Sequence, residues 1–438
     1  MGIAFALALH AHQPVGNFDG VVEEAYQAAY RPFLEAAARR PWLRLNLHVS
    51  GYLLDWLAQR HPESIELLRG LLNAQRLELL GGGYYEPILA VIPAQHQQLQ
   101  LERLSGRMEE LLGVRPRGAW LAERVWEPQI ASVLARAGLD YTILDDHHFQ
   151  LAGVPAGDIH GYWRTEDAGS SLAAVPSNYF LRLALPFRPV QEGIEAMLRA
   201  GREHPGSLLT MGDDLEKFGA WPQTARHVYG DGWLERFFDA LETQADCIES
   251  VLLSDYLERH AARGLLYLPT ASYPEMMGWA RSSSWRGFLT RYPEANLLHK
   301  TVWDLHRRHQ AAGVASGEEL LAAECNDVYW HGWFGGLYSP HLRNLAFTHL
   351  LAADAALART VAPLPLRRFD LHGDGGEVVE MRSAQLRVLL TPGAGGCIEE
   401  LDALVANANL VNSMQRTPEP YHEDLRARVG TNPAQLPG

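Results

Sequence analysis

The sequence predicts an α/β fold, a parallel sheet closed into a barrel, on three observations. Short apolar runs alternate with amphipathic helical stretches through about residue 270. Charged and polar residues cluster just past the ends of those runs. At 438 residues and 47% hydrophobic content, the chain is long enough to bury a large core and add smaller domains. The runs expected as strands are Ile3–Leu9, Leu43–Val49, Leu77–Leu80, Gly118–Leu121, Tyr141–Leu144, Ser207–Met211 and Val251–Ser254. Helical periodicity falls between them at Val21–Ala38, Tyr52–Arg60, Ile65–Ala74, Ala94–Leu112 and Pro128–Ala137. Such alternation implies right-handed crossovers and parallel pairing. His10, His12, Glu86, Glu123, Asp145, Asp146, Asp213 and Asp214 all follow strand ends. In a β/α barrel those ends form a single catalytic face, which favours the closed form over an open sheet.

Beyond residue 270 the pattern changes. Helical periodicity dominates Glu294–Ala312, Ser316–Glu324 and Pro340–Val361. After Pro363 and Pro365, alternating segments at Glu377–Arg382, Gln385–Leu390 and Cys397–Leu401 read as the start of an antiparallel β domain. The last 20 residues, rich in proline, show no element that completes it. The expected domains are a barrel over 1–270, a helical domain over 271–362 and a partial β-sandwich over 363–438.

Composition narrows the partners. With 52 acidic and 38 basic side chains the net charge is −14, which repels nucleic-acid phosphates and anionic membranes. No run of 18 apolar residues is present, and the apolar start is too short for a signal peptide and has no basic segment before it. Cys247, Cys325 and Cys397 lie too far apart in sequence for a disulfide framework or a four-cysteine zinc site. A soluble cytoplasmic protein is expected.

The chemistry concentrates in a few motifs. In Trp120-Leu121-Ala122-Glu123-Arg124-Val125-Trp126-Glu127-Pro128 a carboxylate is flanked by tryptophans, whose faces suit sugar C–H groups. The plainer reading is a capping glutamate beside core aromatics. Met211-Gly212-Asp213-Asp214-Leu215-Glu216 supplies further acids, with Trp221 close behind, and reads otherwise as a solvated acidic loop. His10-Ala11-His12 points two imidazoles the same way, suited either to a metal or to sugar hydroxyls. Asp145-Asp146-His147-His148 could add ligands or form a turn. Gly81-Gly82-Gly83 has no Lys-Ser/Thr after it, so it reads as a tight loop presenting Tyr85 and Glu86 and not as a phosphate cradle.

The segments HAHQPVGNFDG, GGGYYEP, WLAERVWEP, DDLEKFGAWP and ASYPEMMGW resemble, in order and spacing, the five regions of glycoside hydrolase family 57. SSSWRGFLTRYPEANLLHK and ECNDVYWHGWFGGLYSPHLR resemble its 4-α-glucanotransferase and α-amylase branch. The resemblance implies a distorted seven-stranded barrel, a helical domain and a C-terminal β-sandwich, acting on α-1,4-glucans with retention. It implies Glu123 as nucleophile and Asp214 as general acid/base. His10, His12, Glu86, Trp120 and Trp221 resemble substrate contacts, and Asp327 and Trp330 resemble residues that close the site. Asp213 is added as a substrate contact and a fallback acid. The expected partner is an α-1,4-glucan or malto-oligosaccharide; a homodimer stays open.

Retention requires carboxyl groups roughly 5–5.5 Å apart, one ionised and one protonated. Glu123 should therefore lie among donors such as His10 or His12, and Asp214 near Asp213, Glu216 and Trp221. Neither step needs a metal or cofactor, so His10 and His12 read as sugar contacts. Aromatic acceptor sites, from Trp330, Trp333 and Tyr338, would favour transfer over hydrolysis. Leu215 stands where the family has glycine, a strain on Asp214 if that position needs positive φ. The rival readings are hydrolysis by an α-amylase, a metal-dependent amidohydrolase or deacetylase, and a silent glucan-binding protein.

Overall fold

A computed structural model describes residues 2–333 and 336–429. It divides into two compact units. The first comprises Met1–Gln13, Asn17–Ala90 and Gln97–Tyr273, and the second Pro14–Gly16, Val91–His96 and Pro274–Gly438.

The first unit is built on strands β1 (Ile3–Ala11), β2 (Leu45–Val49), β3 (Leu77–Gly81), β4 (Gly118–Ala119), β5 (Tyr141–Asp145), β6 (Trp163–Asp167), β7 (Ser170–Ser177), β8 (Leu208–Asp214) and β9 (Ile248–Ser250). Pairing runs β1-β2-β3-β4-β5-β7-β8 and returns to β1, all parallel, so seven strands close the barrel. The expected barrel is present, but one of its staves differs. The stave between β5 and β8 is β7, which forms an antiparallel hairpin with β6. Val251–Ser254 is not a strand: β9 ends at Ser250 after pairing with the first residues of β1, and a helix begins at Leu253.

β1 explains why the barrel is filled and where its site opens. The strand is buried along its whole length, as a stave covered on both sides must be. Its even residues share one face. Ala4, Ala6 and Ala8 belong to a core cluster with Leu80, Trp120, Tyr141, Ile143 and Leu208, and the small alanines leave room for the large rings. His10 is the next residue in that row, at the C-terminal end. Most helices fall where periodicity placed them; Ala94–Leu112 has the expected bounds. The first helical stretch is interrupted by a π turn at Tyr26–Tyr30.

In the second unit, helices Pro293–Ala311, Glu318–Ala322 and Pro340–Ala358 fill the expected helical stretches. An antiparallel sheet follows, in the order β10 (Leu366–Phe369), β11 (Val378–Arg382), β12 (Leu386–Thr391), β13 (Cys397–Ala403) and β14 (Ala408–Asn409). Residues Pro420–Val429, expected to hold no element that completes the β domain, form a helix. The rest of that tail, 430–438, lies outside the described residues. No described helix is long and apolar enough to cross a membrane.

This sheet reverses the usual pattern. Glu380, Arg387, Glu400 and Asp402 are buried, while Leu366, Met381 and Leu386 are exposed. The inward charges are matched: Arg387 Nε donates to Asp402 at 2.8 Å and its Nη2 to Glu400, and Arg367 joins Asp304 and Glu380. A buried ion network adds little stability over apolar packing, but removing one partner strands the others. Replacing Arg387 alone (Arg387→Met) should therefore lower unfolding free energy by about 3–5 kcal/mol. The triple change Arg387→Met, Glu400→Leu, Asp402→Leu should cost much less. Denaturant unfolding distinguishes the two; equal losses would contradict the network.

Candidate active site

The acids sit at the C-terminal ends of the staves, on loops whose backbone is bent to aim them. Glu123, just past β4, lies in a short 3-10 turn with φ 53°, and Arg124 follows at φ 47°. Glu86, past β3, has φ 52°. Non-glycine residues avoid this region, at a cost of about 1 kcal/mol or more each, and such strain concentrates where side-chain direction matters. The three glycines before Glu86 permit the close packing of its loop. A Cβ on Gly82 would lie 2.7 Å from the Trp120 carbonyl oxygen and 3.0 Å from His48. Leu215, by contrast, opens a 3-10 turn outside the positive-φ residues, so the feared strain beside Asp214 does not arise.

Strand register sets the next contacts. His10 pairs in register with Asp214 of β8 on one side and with His48 of β2 on the other. His10 Nδ1 lies 3.2 Å from Asp214 Oδ1, and its Nε2 lies 3.5 Å from Glu86 Oε1. His48 Nε2 hydrogen-bonds to Glu86. Burial works against charge on His10, but Glu86 and Asp214 outweigh it and hold the imidazole well above its ordinary value. Glu86 is fully buried, which opposes ionisation, yet the two imidazoles hold it well below the usual range. His10 also stacks on Trp120, with centroids 5.0 Å apart and planes within 10°. Trp120 is therefore packed behind His10 and almost wholly buried.

The nucleophile candidate has different neighbours from those expected. Tyr273 Oη donates to Glu123 Oε2 at 2.5 Å, and Ser272 Oγ to the Glu123 carbonyl. Burial, and then the charge of Asp214, push Glu123 up to about 7 against the pull of Arg124 and Tyr273. Burial also works to raise Asp214, but the hydrogen bond and charge of His10, with Arg124 and Lys217, hold it below its ordinary value. These shifts run opposite to the expected order, in which Glu123 is ionised and Asp214 protonated. The physical cause is that the cationic imidazole sits on Asp214 and not on Glu123.

Glu216 completes the acidic group. It accepts from the His12 backbone N at 2.9 Å and from Tyr30 Oη, which the π turn presents. Burial and the Asp214 charge push Glu216 up to about 7. Asp213 faces away from this group. Its carboxylate receives Lys217 Nζ at 2.7 Å, both buried, so the neighbour of Asp214 is committed to an ion pair. Trp221 remains partly exposed and stacks on Phe187. Trp126 is core, its indole donating to the Leu268 carbonyl.

Behind Glu123, Arg124 lies 4.4 Å from the Tyr273 ring centroid and pairs with fully buried Asp145, which also faces Arg182. Asp145 thus neutralises guanidinium groups, and burial pushes His148 down to about 4. Sequence reasoning missed His48, Tyr30, Arg124, Arg182 and Tyr273 as site residues; Tyr273 and Arg124 lay inside quoted motifs, and Glu216 was expected as a neighbour of Asp214. Ligand atoms of His10, His48 and Glu86 lie within 4.8 Å of one another and have the donor chemistry of a metal site.

Asp327 and Trp330 lie in the second unit. Asp327 accepts from Cys325 Sγ at 3.3 Å. Trp330 donates to Asn326 at 2.7 Å and stacks on Trp279. Trp333 is 54% exposed beside Tyr421, and Tyr338 donates to Glu419.

The chain matches the family model for glycosyl hydrolase family 57 over residues 6–269. Models for the alpha-amylase/4-alpha-glucanotransferase middle and C-terminal domains match 283–357 and 370–435. It is 37% identical to an alpha-amylase of Pyrococcus horikoshii, over 96% of this chain and 70% of that one. It is 36% identical to a 4-alpha-glucanotransferase of Thermococcus litoralis, over 96% of this chain and 67% of the relative. The crystal structure of 4-alpha-glucanotransferase from Thermococcus litoralis superposes with a TM-score of 0.92, at 35% identity, covering 98% of this chain and 71% of that one. The chain thus spans about two thirds of the length of its relatives. With the barrel, the ordered motifs and these matches in agreement, the chain belongs to glycosyl hydrolase family 57.

Proposed function

We propose that the protein is a retaining 4-α-glucanotransferase, moving α-1,4-glucan segments between malto-oligosaccharides. The observation that carries this reading is the pair Glu123 and Asp214, partly buried and each within reach of the other's charge, at the C-terminal rim of the barrel. In the first step Asp214 gives its proton to the glycosidic oxygen as Glu123 attacks C1. The C1–O bond breaks, and the departing fragment keeps a 4-hydroxyl. In the second step Asp214 takes the proton of an acceptor 4-hydroxyl, whose oxygen attacks C1 and frees Glu123. Water in place of the sugar gives α-amylase activity, a reading supported by the relatives of that name.

Between the low value of Asp214 and the value of about 7 at Glu123, the pair holds one proton. The reaction needs the same count with the proton on Asp214, so substrate entry must move it across. Trp221 offers a platform for a sugar ring, and His12 and Glu86 offer hydroxyl partners. Asp213 serves as support through Lys217, and Asp327 and Trp330 are assigned to substrate closure on the motif resemblance alone. A cytoplasmic location is supported by the free cysteines Cys247, Cys325 and Cys397.

Purified enzyme with maltopentaose should yield both longer and shorter oligomers without a rise in reducing ends. Only shorter products, with rising reducing ends, would make it a hydrolase. Glu123→Gln should abolish turnover and keep glucan binding, and full activity there would remove the nucleophile. The pH profile of kcat/KM follows from the shared proton. Activity should hold below pH 7 and fall as pH rises through about 7, because the pair then loses its last proton. It should also fall at acid pH, below the ordinary aspartate range, where Asp214 and Glu123 are both protonated. A rate that increases through pH 7 would contradict this assignment.

A further inference from the structure

His48 lies outside every motif that pointed to the site, yet it is completely buried in the same row as His10 and Asp214. Three neighbouring staves, β2, β1 and β8, bring His48, His10 and Asp214 together in register. His48 Nδ1 is 3.0 Å from both the Leu80 and Gly81 carbonyl oxygens. Carbonyl and carboxylate oxygens only accept, so Nδ1 donates to the β3 carbonyls, Nε2 donates to Glu86, and the ring orientation is fixed. That orientation turns Nε2 onto Glu86 Oε1. The same Glu86 oxygen faces His10 Nε2 at 3.5 Å, and His10 Nδ1 faces Asp214. The two imidazoles also stack, with centroids 5.3 Å apart and planes 20° from parallel. Gly82 leaves room for this ring, since a Cβ there would approach His48 Cε1 to 3.0 Å.

We propose that His48 is a positioning residue for the acid step: anchored on the β3 carbonyls, it holds Glu86, which holds His10 against Asp214. It acts through these residues and touches no reacting atom. The inference rests on Asp214 being the general acid. Glu86 sits at positive φ, and loss of the His48 bond would weaken the hold on its carboxylate beside His10. His10 would then have a less firmly held partner on the Nε2 side and a looser approach to Asp214. Geometry favours this reading over a cation bound by His10, His48 and Glu86. His48 and Glu86 are in direct hydrogen-bond contact, each satisfying the other without an ion.

The test uses full-length wild type, His48→Asn and His48→Gln on maltopentaose and on aryl α-maltotriosides whose phenols span a range of acidity. A glycosidic sugar is a poor leaving group that needs Asp214, whereas a dinitrophenolate does not. His48→Asn, whose amide is too short to reach Glu86, should lower kcat on maltopentaose about 100-fold and change the dinitrophenyl donor by less than about threefold. His48→Gln, which can still donate to Glu86, should recover most of the loss. Melting temperatures are measured in parallel; if His48→Asn does not fold, His48→Gln on the same series decides by whether its loss grows as the leaving group worsens. A uniform loss across donors, or no loss, would overturn the proposal. So would a stoichiometric metal whose removal abolishes activity, because His48 would then be a ligand. If wild type cleaves none of these donors, the functional reading fails instead.

Discussion

The site depends on one cross-strand pair, His10 of β1 and Asp214 of β8, side by side in register and joined at 3.2 Å. A charge taken out of water must be paired or it neutralises. His10 is buried between Glu86 and Asp214, so its charge and theirs stand or fall together. This pairing determines which carboxylate of the catalytic pair keeps the proton in the free site. With His10 on Asp214, the proton is left to Glu123, whose partners are a tyrosine hydroxyl and an arginine already engaged by Asp145. The resting arrangement is therefore one proton removed from the reactive one.

Shape follows the same constraint. A row of alanines lets β1 run through a crowded interior, and His10 takes the next inward position at the rim. The acids beyond β3 and β4 reach this row only from left-handed backbone, at Glu86 and Glu123. Glycines at 82 and 83 make the first of these bends possible by yielding space to Trp120, His48 and Pro87. Strain of this kind persists because the surrounding contacts over-determine it. In the C-terminal sheet charges are likewise buried against one another, Arg387 joining β12 to β13 and Arg367 joining β10 to β11 and to the helix that carries Asp304.

Much of this was legible in the sequence. The staves announced themselves as apolar runs, and the acids stood where a barrel exposes its strand ends. The hairpin Trp163–Ser177 was not legible, because its strands alternate weakly and are linked by a two-residue turn. The placement of Glu123 and Asp214 at the C-terminal ends of staves was readable, because it follows from local strand patterning. Ionisation was not, since the partners lie 150 residues away for Glu123 and 204 for Asp214. Asp213 could have been read better: Lys217 stands four residues on, at the spacing of an ion pair. Tyr30 reaches Glu216 only through a π turn, which periodicity does not reveal. His48 lies in no motif; it is one of two buried polar residues in β2, with Asn46, and register gives it its place beside His10.

The central claim is that Glu123 attacks the sugar and Asp214 does not. The direct test is to trap the intermediate with a 5-fluoro glycosyl fluoride, digest the protein and locate the ester by mass spectrometry. A glycosyl group on the peptide bearing Glu123, released when an acceptor sugar is added, is the predicted result. A label on Asp214, or turnover with inverted anomeric configuration and no ester, would contradict it.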